Sequence, residues 1–134
     1  MTPFALKIVT PDGIAFDGYA ESVSVRTTTG DLGILAGHIN LVAPLGMGRC
    51  TLVVENQRRY GACIGGMISV MDGKVTLVPT TFEWAEDIDP DRADRSYQRA
   101  QEMLHSKDSS ATDIVLAEAR LKRALVRKSV ASMK

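Results

Sequence analysis

The residues with the most chemical potential are Asp89, Arg92 and Arg99, together with Arg123 and Arg127 further along the chain. Guanidinium groups grip phosphates through paired N–H donors, and a helix N-terminus offers backbone amides to the same anion. Asp89-Pro90 reads as such a start: aspartate is a favoured helix cap, and proline at the first helical position forfeits an amide that has no intrahelical partner. If two helices turn back near residue 108, Arg92 comes level with Arg123 and Asp89 with Arg127. Three or four arginines and the first-turn amides would then hold a polyphosphate. The same residues also fit a salt-bridge network in which Asp89 pairs with arginine and pins the helices together. Spacing alone leaves both open.

Bond-making chemistry finds less support. The two histidines, His38 and His105, lie in different halves, and neither HExxH nor GxSxG occurs. The run Gly65–Lys74 imitates a phosphate loop only superficially, since no Ser or Thr follows the lysine and the stretch reads as strand then hairpin. His38 with Asp31 could act as an acid–base pair, although a histidine in an apolar segment more commonly packs or meets a partner. Cys50 and Cys63 are the only cysteines. Without CxxC or a histidine neighbour they outline no metal site and read as buried free thiols. Catalytic residues, a metal site and a catalytic cofactor are therefore expected to be absent.

The formal net charge of 0 over 134 residues gives no basic footprint for nucleic acid. No apolar run approaches the roughly 18 residues that span a bilayer, and the N-terminus lacks a signal segment, so a soluble chain that stays where it is made is expected. The length suits one core with a small appendage.

Two grammars divide the chain near residue 84. All eleven glycines fall between Gly13 and Gly73. In that half apolar residues recur at period two: Phe4, Leu6 and Ile8, then Val23 and Val25. Turn chemistry separates the strands at Thr10-Pro11-Asp12-Gly13, at Glu55-Asn56-Gln57 and at Met71-Asp72-Gly73-Lys74. Many short strands predict a β-sandwich or flattened barrel, with a bulge or close backbone approach at Gly65-Gly66. From Asp89 the period is helical. Ala93, Tyr97, Ala100 and Leu104 form one stripe; after a break at residues 105–112, Ile114, Ala117, Leu121 and Ala124 form another. An alanine-rich, marginally stable helical hairpin follows.

Several segments carry a resemblance: TPDG at 10–13, GDLGILAGH at 30–38, Gly65-Gly66, AEDIDPDRA at 85–93 and LKRALVRKSVASMK at 121–134. Together they resemble the epsilon subunit of bacterial F-type ATP synthase, and I-D-x-x-R-A is similar to the ATP-binding signature of epsilon subunits from bacilli. Ala36 stands where that family usually has proline; Gly33 and Gly37 are expected to keep the backbone permissive. The resemblance implies an N-terminal antiparallel β-sandwich, residues 1–84, that binds the gamma subunit and rotor ring. An antiparallel two-helix hairpin, residues 85–134, then regulates. By the same resemblance Glu83, Ile88, Asp89, Arg92, Ala93, Arg99, Arg123 and Arg127 line an ATP site, with magnesium left open. Asp31 and His38 touch the ring.

The stretch from Ala119 to Lys134 holds six Lys or Arg and no acid. Such a tail can simply complement the helix dipole. The resemblance implies more: Arg120, Lys122, Arg123, Arg127 and Lys128 dock on an acidic stretch of the beta subunit when the helices extend between the alpha and beta subunits. The implied work is mechanical coupling of proton-driven rotation and inhibition of ATP hydrolysis, peripheral at the cytoplasmic face of the bacterial membrane. A free-standing ATP sensor is the alternative.

Overall fold

The computed structural model describes residues 2–133. It divides into two compact units, Met1–Trp84 and Ala85–Lys134. The first is built from eight strands: β1 (Phe4–Thr10), β2 (Gly13–Ala20), β3 (Ser22–Thr27), β4 (Gly30–Ile34), β5 (Leu41–Pro44), β6 (Met47–Val54), β7 (Gln57–Met71) and β8 (Lys74–Trp84). The period-two pattern translates into facing: Phe4, Leu6 and Ile8 on β1 and Val23 and Val25 on β3 are buried, while Lys7, Ser24 and Arg26 point out.

Two long strands make the sandwich. The first part of β7 pairs with β6 through Val54↔Gln57 to Met47↔Ile64, and the last part pairs with β5 through Pro44↔Met67 to Leu41↔Val70. β8 follows β7 throughout, from Met71↔Lys74 to Gly61↔Trp84. One layer therefore runs β2, β1, β8, β7, β5 and the other β4, β3, β6, β7, β8, with β7 and β8 crossing between them. The crossing falls at Gly65 and Gly66, which take φ of +67° and +97°. Leu45 N donates to Gly66 O at 2.8 Å and Gly65 N to Gly46 O at 3.0 Å, stitching the corner. Register is the same on either side, Ile64↔Thr81 and Gly66↔Pro79, so the glycine pair is a close backbone approach and not a bulge.

The hairpin turns follow from residue type. Glu55 and Asn56 have φ of 52° and 62°, and Asp72 and Gly73 have 50° and 80°, the doubly left-handed turn that matches strand twist. Every strand pairing is antiparallel except β1 with β8, which is parallel through Ala5↔Lys74 to Ile8↔Leu77. No turn signal could announce that pair, because its strands are the first and last of the unit.

Cys50 and Cys63 are free and buried in this core. Cys50 pairs with Gly61 and Cys63 with Gly48, so the two thiols are diagonal neighbours on β6 and β7. Burial pushes the Cys63 thiol up to about 12; Cys50 is raised well above its usual value by burial first and by Cys63 second. Neither thiol should alkylate at about pH 8 in the native chain, and both should do so in denaturant. Because the folded values lie above the unfolded ones, this stabilisation is complete below about pH 8.5 and is lost as pH climbs toward the folded values. Denaturant melts should therefore show less stability at about pH 10.5 than at about pH 8, with a smaller drop in Cys63→Ala. A native thiol that reacts at once would contradict this.

Candidate functional site

The second unit begins with a 3-10 turn, Ala85–Asp87, followed by α1 (Pro90–His105) and α2 (Ala111–Ala131). Both helix starts are capped by sequence. Asp89 Oδ1 accepts from Asp91 N at 3.0 Å and Arg92 N at 3.2 Å, with Pro90 in the first turn. Ser110 and Asp113 exchange side-chain-to-backbone bonds at 3.1 Å each, a reciprocal capping box. Alanine repeats every seventh residue on both helices, at Ala93 and Ala100 and at Ala117, Ala124 and Ala131, and all five are buried. Seven residues is close to two turns, so each set is one stripe, and small side chains let the two helix backbones lie close. Leu104, Tyr97 and Leu121 flank this seam half-buried. Ile114, expected on the inner face, is 37% exposed. The seam begins one turn later, because the loop Ser106–Ser110 has not yet brought α2 against α1.

The phosphate-binding expectation meets one correction. The first-turn amides of α1 are not free for a ligand: Asp91 N and Arg92 N are taken by Asp89, Pro90 has none, and Ala93 N donates to Asp89 O at 3.0 Å. The cap carboxylate also offsets the positive end of the helix dipole. Any anion held here must rely on arginine side chains. Arg92, Arg99 and Arg123 are exposed and Arg127 is half-buried. Arg92 and Arg99 lie two turns apart on one side of α1, about 10 Å along it. Arg123 and Arg127 share a side of α2 one turn apart. Ile88 and Ala93 are 1% and 0% exposed, so both side chains are packed inside the helical unit. Glu83 lies in the sheet unit, on β8 opposite Ala62.

The basic tail is placed in two ways. Arg120, Lys122 and Arg123 point to solvent. Lys128 does not: its Nζ meets Asp94 Oδ1 at 2.8 Å and stands 4.3 Å from the centre of the Tyr97 ring. The Lys128 ammonium, by hydrogen bond and by charge, holds the Asp94 carboxyl below the usual carboxylate range.

In the sheet unit, Asp31 and His38 are at opposite ends of β4. Asp31 is near the turn joining β3 to β4, 3.5 Å from Arg26 Nε, and His38 follows the far end of the strand with Nδ1 2.8 Å from Ile39 O. Three residues of strand and a loop separate them, about 10 Å or more, too far for a proton relay. The acid–base pairing is excluded. Gly37 takes φ of +81°, as a tight turn requires, whereas Gly33 is an ordinary strand residue opposite Ser24. Only one of the two glycines expected to carry the turn does so. Asn40 Oδ1 accepts from Asp72 N at 2.9 Å, which ties the 35–40 loop to the β7–β8 turn. Beside it, the outer face of the β5–β7–β8 layer leaves Val42, Met67, Met71 and Val78 exposed at 42% to 60%. Met67 is paired with Val78, and Val42 with Ser69, so all four share that face.

Comparison with known proteins matches both units in turn. Residues 3–85 match the family described as ATP synthase, Delta/Epsilon chain, beta-sandwich domain, and residues 86–132 the long alpha-helix domain of the same chain. The chain belongs to the delta/epsilon chain family of ATP synthase. Relatives within it include the ATP synthase epsilon chain of Bacillus velezensis, 44% identical over 98% of both chains. That of Bacillus subtilis is 47% identical over 85% of this chain and 86% of its own. That of Ruminococcus albus is 38% identical over 100% of both. All three relatives are named as the epsilon chain of ATP synthase. The fold also matches a chain in the Euglena gracilis mitochondrial ATP synthase OSCP/F1/c-ring structure, with a TM-score of 0.85, 21% identity and cover of 100% of this chain and 83% of that one. A chain in the central stalk/c-ring structure of Tetrahymena thermophila gives 0.65 at 16% identity, with 95% cover of each.

Two features of this chain are not evident from its motifs. The apolar face of Val42, Met67, Met71 and Val78 is split over three strands, and only the register β5–β7–β8 assembles it. Asp94 and Tyr97 sit outside the arginine motif, one turn apart on α1, and only the packing of α2 against α1 brings a cation to them. No described helix is long and apolar enough to cross a membrane.

Proposed function

We propose that this chain is the epsilon subunit of the central stalk, whose sheet unit clamps the gamma subunit and the rotor ring so that proton-driven ring rotation turns the stalk. The observation that carries this is the exposed apolar face of Val42, Met67, Met71 and Val78 beside the 35–40 loop. Four large apolar side chains on one sheet face favour burial against a partner. Asp31 and His38, at the two ends of the Gly30 to His38 segment, are the proposed ring contacts. The titles of the fold neighbours, which name a c-ring and a central stalk, support an association of the subunit with the ring and stalk. The subunit works as a peripheral protein on the cytoplasmic face of the membrane. Substituting Val42→Asp together with Met67→Asp should abolish co-purification with gamma while leaving the sheet folded. Undiminished assembly would overturn the docking face.

The hairpin is the proposed regulator. Folded, it presents Arg92, Arg99, Arg123 and Arg127 to ATP; extended, it sends Arg120, Lys122, Arg123, Arg127 and Lys128 to an acidic surface between the alpha and beta subunits and inhibits hydrolysis. ATP binds the folded form alone, so at about 100 times its dissociation constant it favours folding by roughly 2.7 kcal/mol. Arg92→Ala should weaken ATP binding at least tenfold, the order expected for a lost charge-assisted contact. Calorimetry on the isolated chain decides: no heat at about millimolar ATP would defeat the nucleotide site and favour the salt-bridge reading.

A further inference from the structure

Lys128 is gripped from two sides, and both partners belong to α1. Asp94 takes the ammonium at 2.8 Å and Tyr97 offers its ring at 4.3 Å. Those two residues are one turn apart on the helix and so share a face. The ring is braced in turn, since Gln101 Nε2 donates to the Tyr97 hydroxyl at 3.0 Å. Gln98 also donates to Asp94, lowering its carboxyl a little further than Lys128 does by itself.

An isolated surface ion pair is worth little, because ordering two long side chains costs rotamer freedom and water screens the charges. Here one ordered lysine serves both a carboxylate and an aromatic face, so its ordering cost is met once for two attractions. Position adds to the effect. Asp94 is near the start of α1 and Lys128 is in the last turn of α2, which puts the contact at the open mouth of the hairpin, far from the Ser106–Ser110 loop. Near the loop the backbone already holds the helices together; at the mouth only side chains do.

We propose that Asp94 and Tyr97 form a latch for Lys128 that holds the mouth of the hairpin closed and masks one cation of the basic tail until α2 leaves. The masking has a consequence that rests on the regulatory role proposed above: a latched Lys128 is unavailable to an acidic partner, so opening both releases the helix and exposes its docking charge. The latch itself is a property of the closed hairpin with or without nucleotide.

Amide hydrogen exchange on the full chain, without nucleotide, reads the latch directly through the amides of Ala111–Ala131. Asp94→Asn and Lys128→Gln should each speed their exchange roughly three- to tenfold, with sheet amides unchanged as an internal control. The double variant should exchange no faster than the faster single, and Lys128→Arg should remain close to wild type. Raising salt from about 0.05 M to about 1 M should speed wild type toward the single variants and leave Asp94→Asn unmoved. The Lys128 ε-methylene protons should also resonate upfield under the Tyr97 ring, and Tyr97→Leu should remove that shift. Wild-type exchange in Asp94→Asn, or a double variant whose effect is the product of the two singles, would overturn the latch. Since no ATP is present, loss of the nucleotide-site reading would leave these outcomes as they are.

Discussion

Gly66→Ala should destabilise the sheet unit by about 3 to 5 kcal/mol, a large part of the 5 to 15 kcal/mol that a domain of this kind commonly has. Two independent costs add. Gly66 sits at φ of +97°, where a side chain is strained, and a Cβ there would overlap the Val78 carbonyl oxygen and crowd Pro79 Cα. Both are backbone atoms held in the β7–β8 ladder, so no rotamer change relieves the clash. The corner where the two long strands pass between layers would have to open, and the Leu45 N to Gly66 O bond would go with it. Gly73→Ala separates the two costs: its φ is +80° but nothing lies within 4 Å of the added carbon, so only strain of about 1 kcal/mol is expected. Urea melts of both variants followed by β circular dichroism check this. Equal midpoints for the two would show that the close approach at Gly66 contributes nothing.

Ala117→Leu should open the hairpin. Ala117 is 0% exposed in the alanine seam, and three added carbons between closely packed helices must push them apart. Overpacking of this kind costs about 1 to 3 kcal/mol, against a pair of helices that buries mostly methyl groups and is marginal by itself. The closed population should therefore fall roughly five- to 150-fold. In the proposed function this means loss of ATP binding and stronger inhibition of hydrolysis by the assembled enzyme at any ATP level. Leu125→Ala, at a position 46% exposed, should change little. Small-angle scattering and ATP titration on the two variants make the comparison. Unchanged ATP affinity in Ala117→Leu would mean that the seam does not govern closure.

Sequence by itself determined the features that depend on near neighbours. Phe4, Leu6 and Ile8 face inward because successive strand residues alternate, and Asp72-Gly73 turns tightly because both positions tolerate positive φ. Asp89 and Ser110 cap their helices because a short oxygen-bearing side chain reaches amides two or three residues ahead. The alanine stripes are likewise written in seven-residue spacing. Tertiary structure decided whatever depends on residues distant in the chain. It placed β1 parallel to β8, let β7 and β8 serve both layers, and exposed Met67 and Met71 while burying Ile68 and Val70. The expectation of free amides at the start of α1 failed because a carboxylate that caps a helix consumes the donors a phosphate would need. Asp31 and His38, close in sequence, were separated because a strand extends about 3.3 Å per residue. Lys128 found Asp94 and Tyr97 only because two helices came together at the register of their small residues, and no local pattern encodes a partner across that gap.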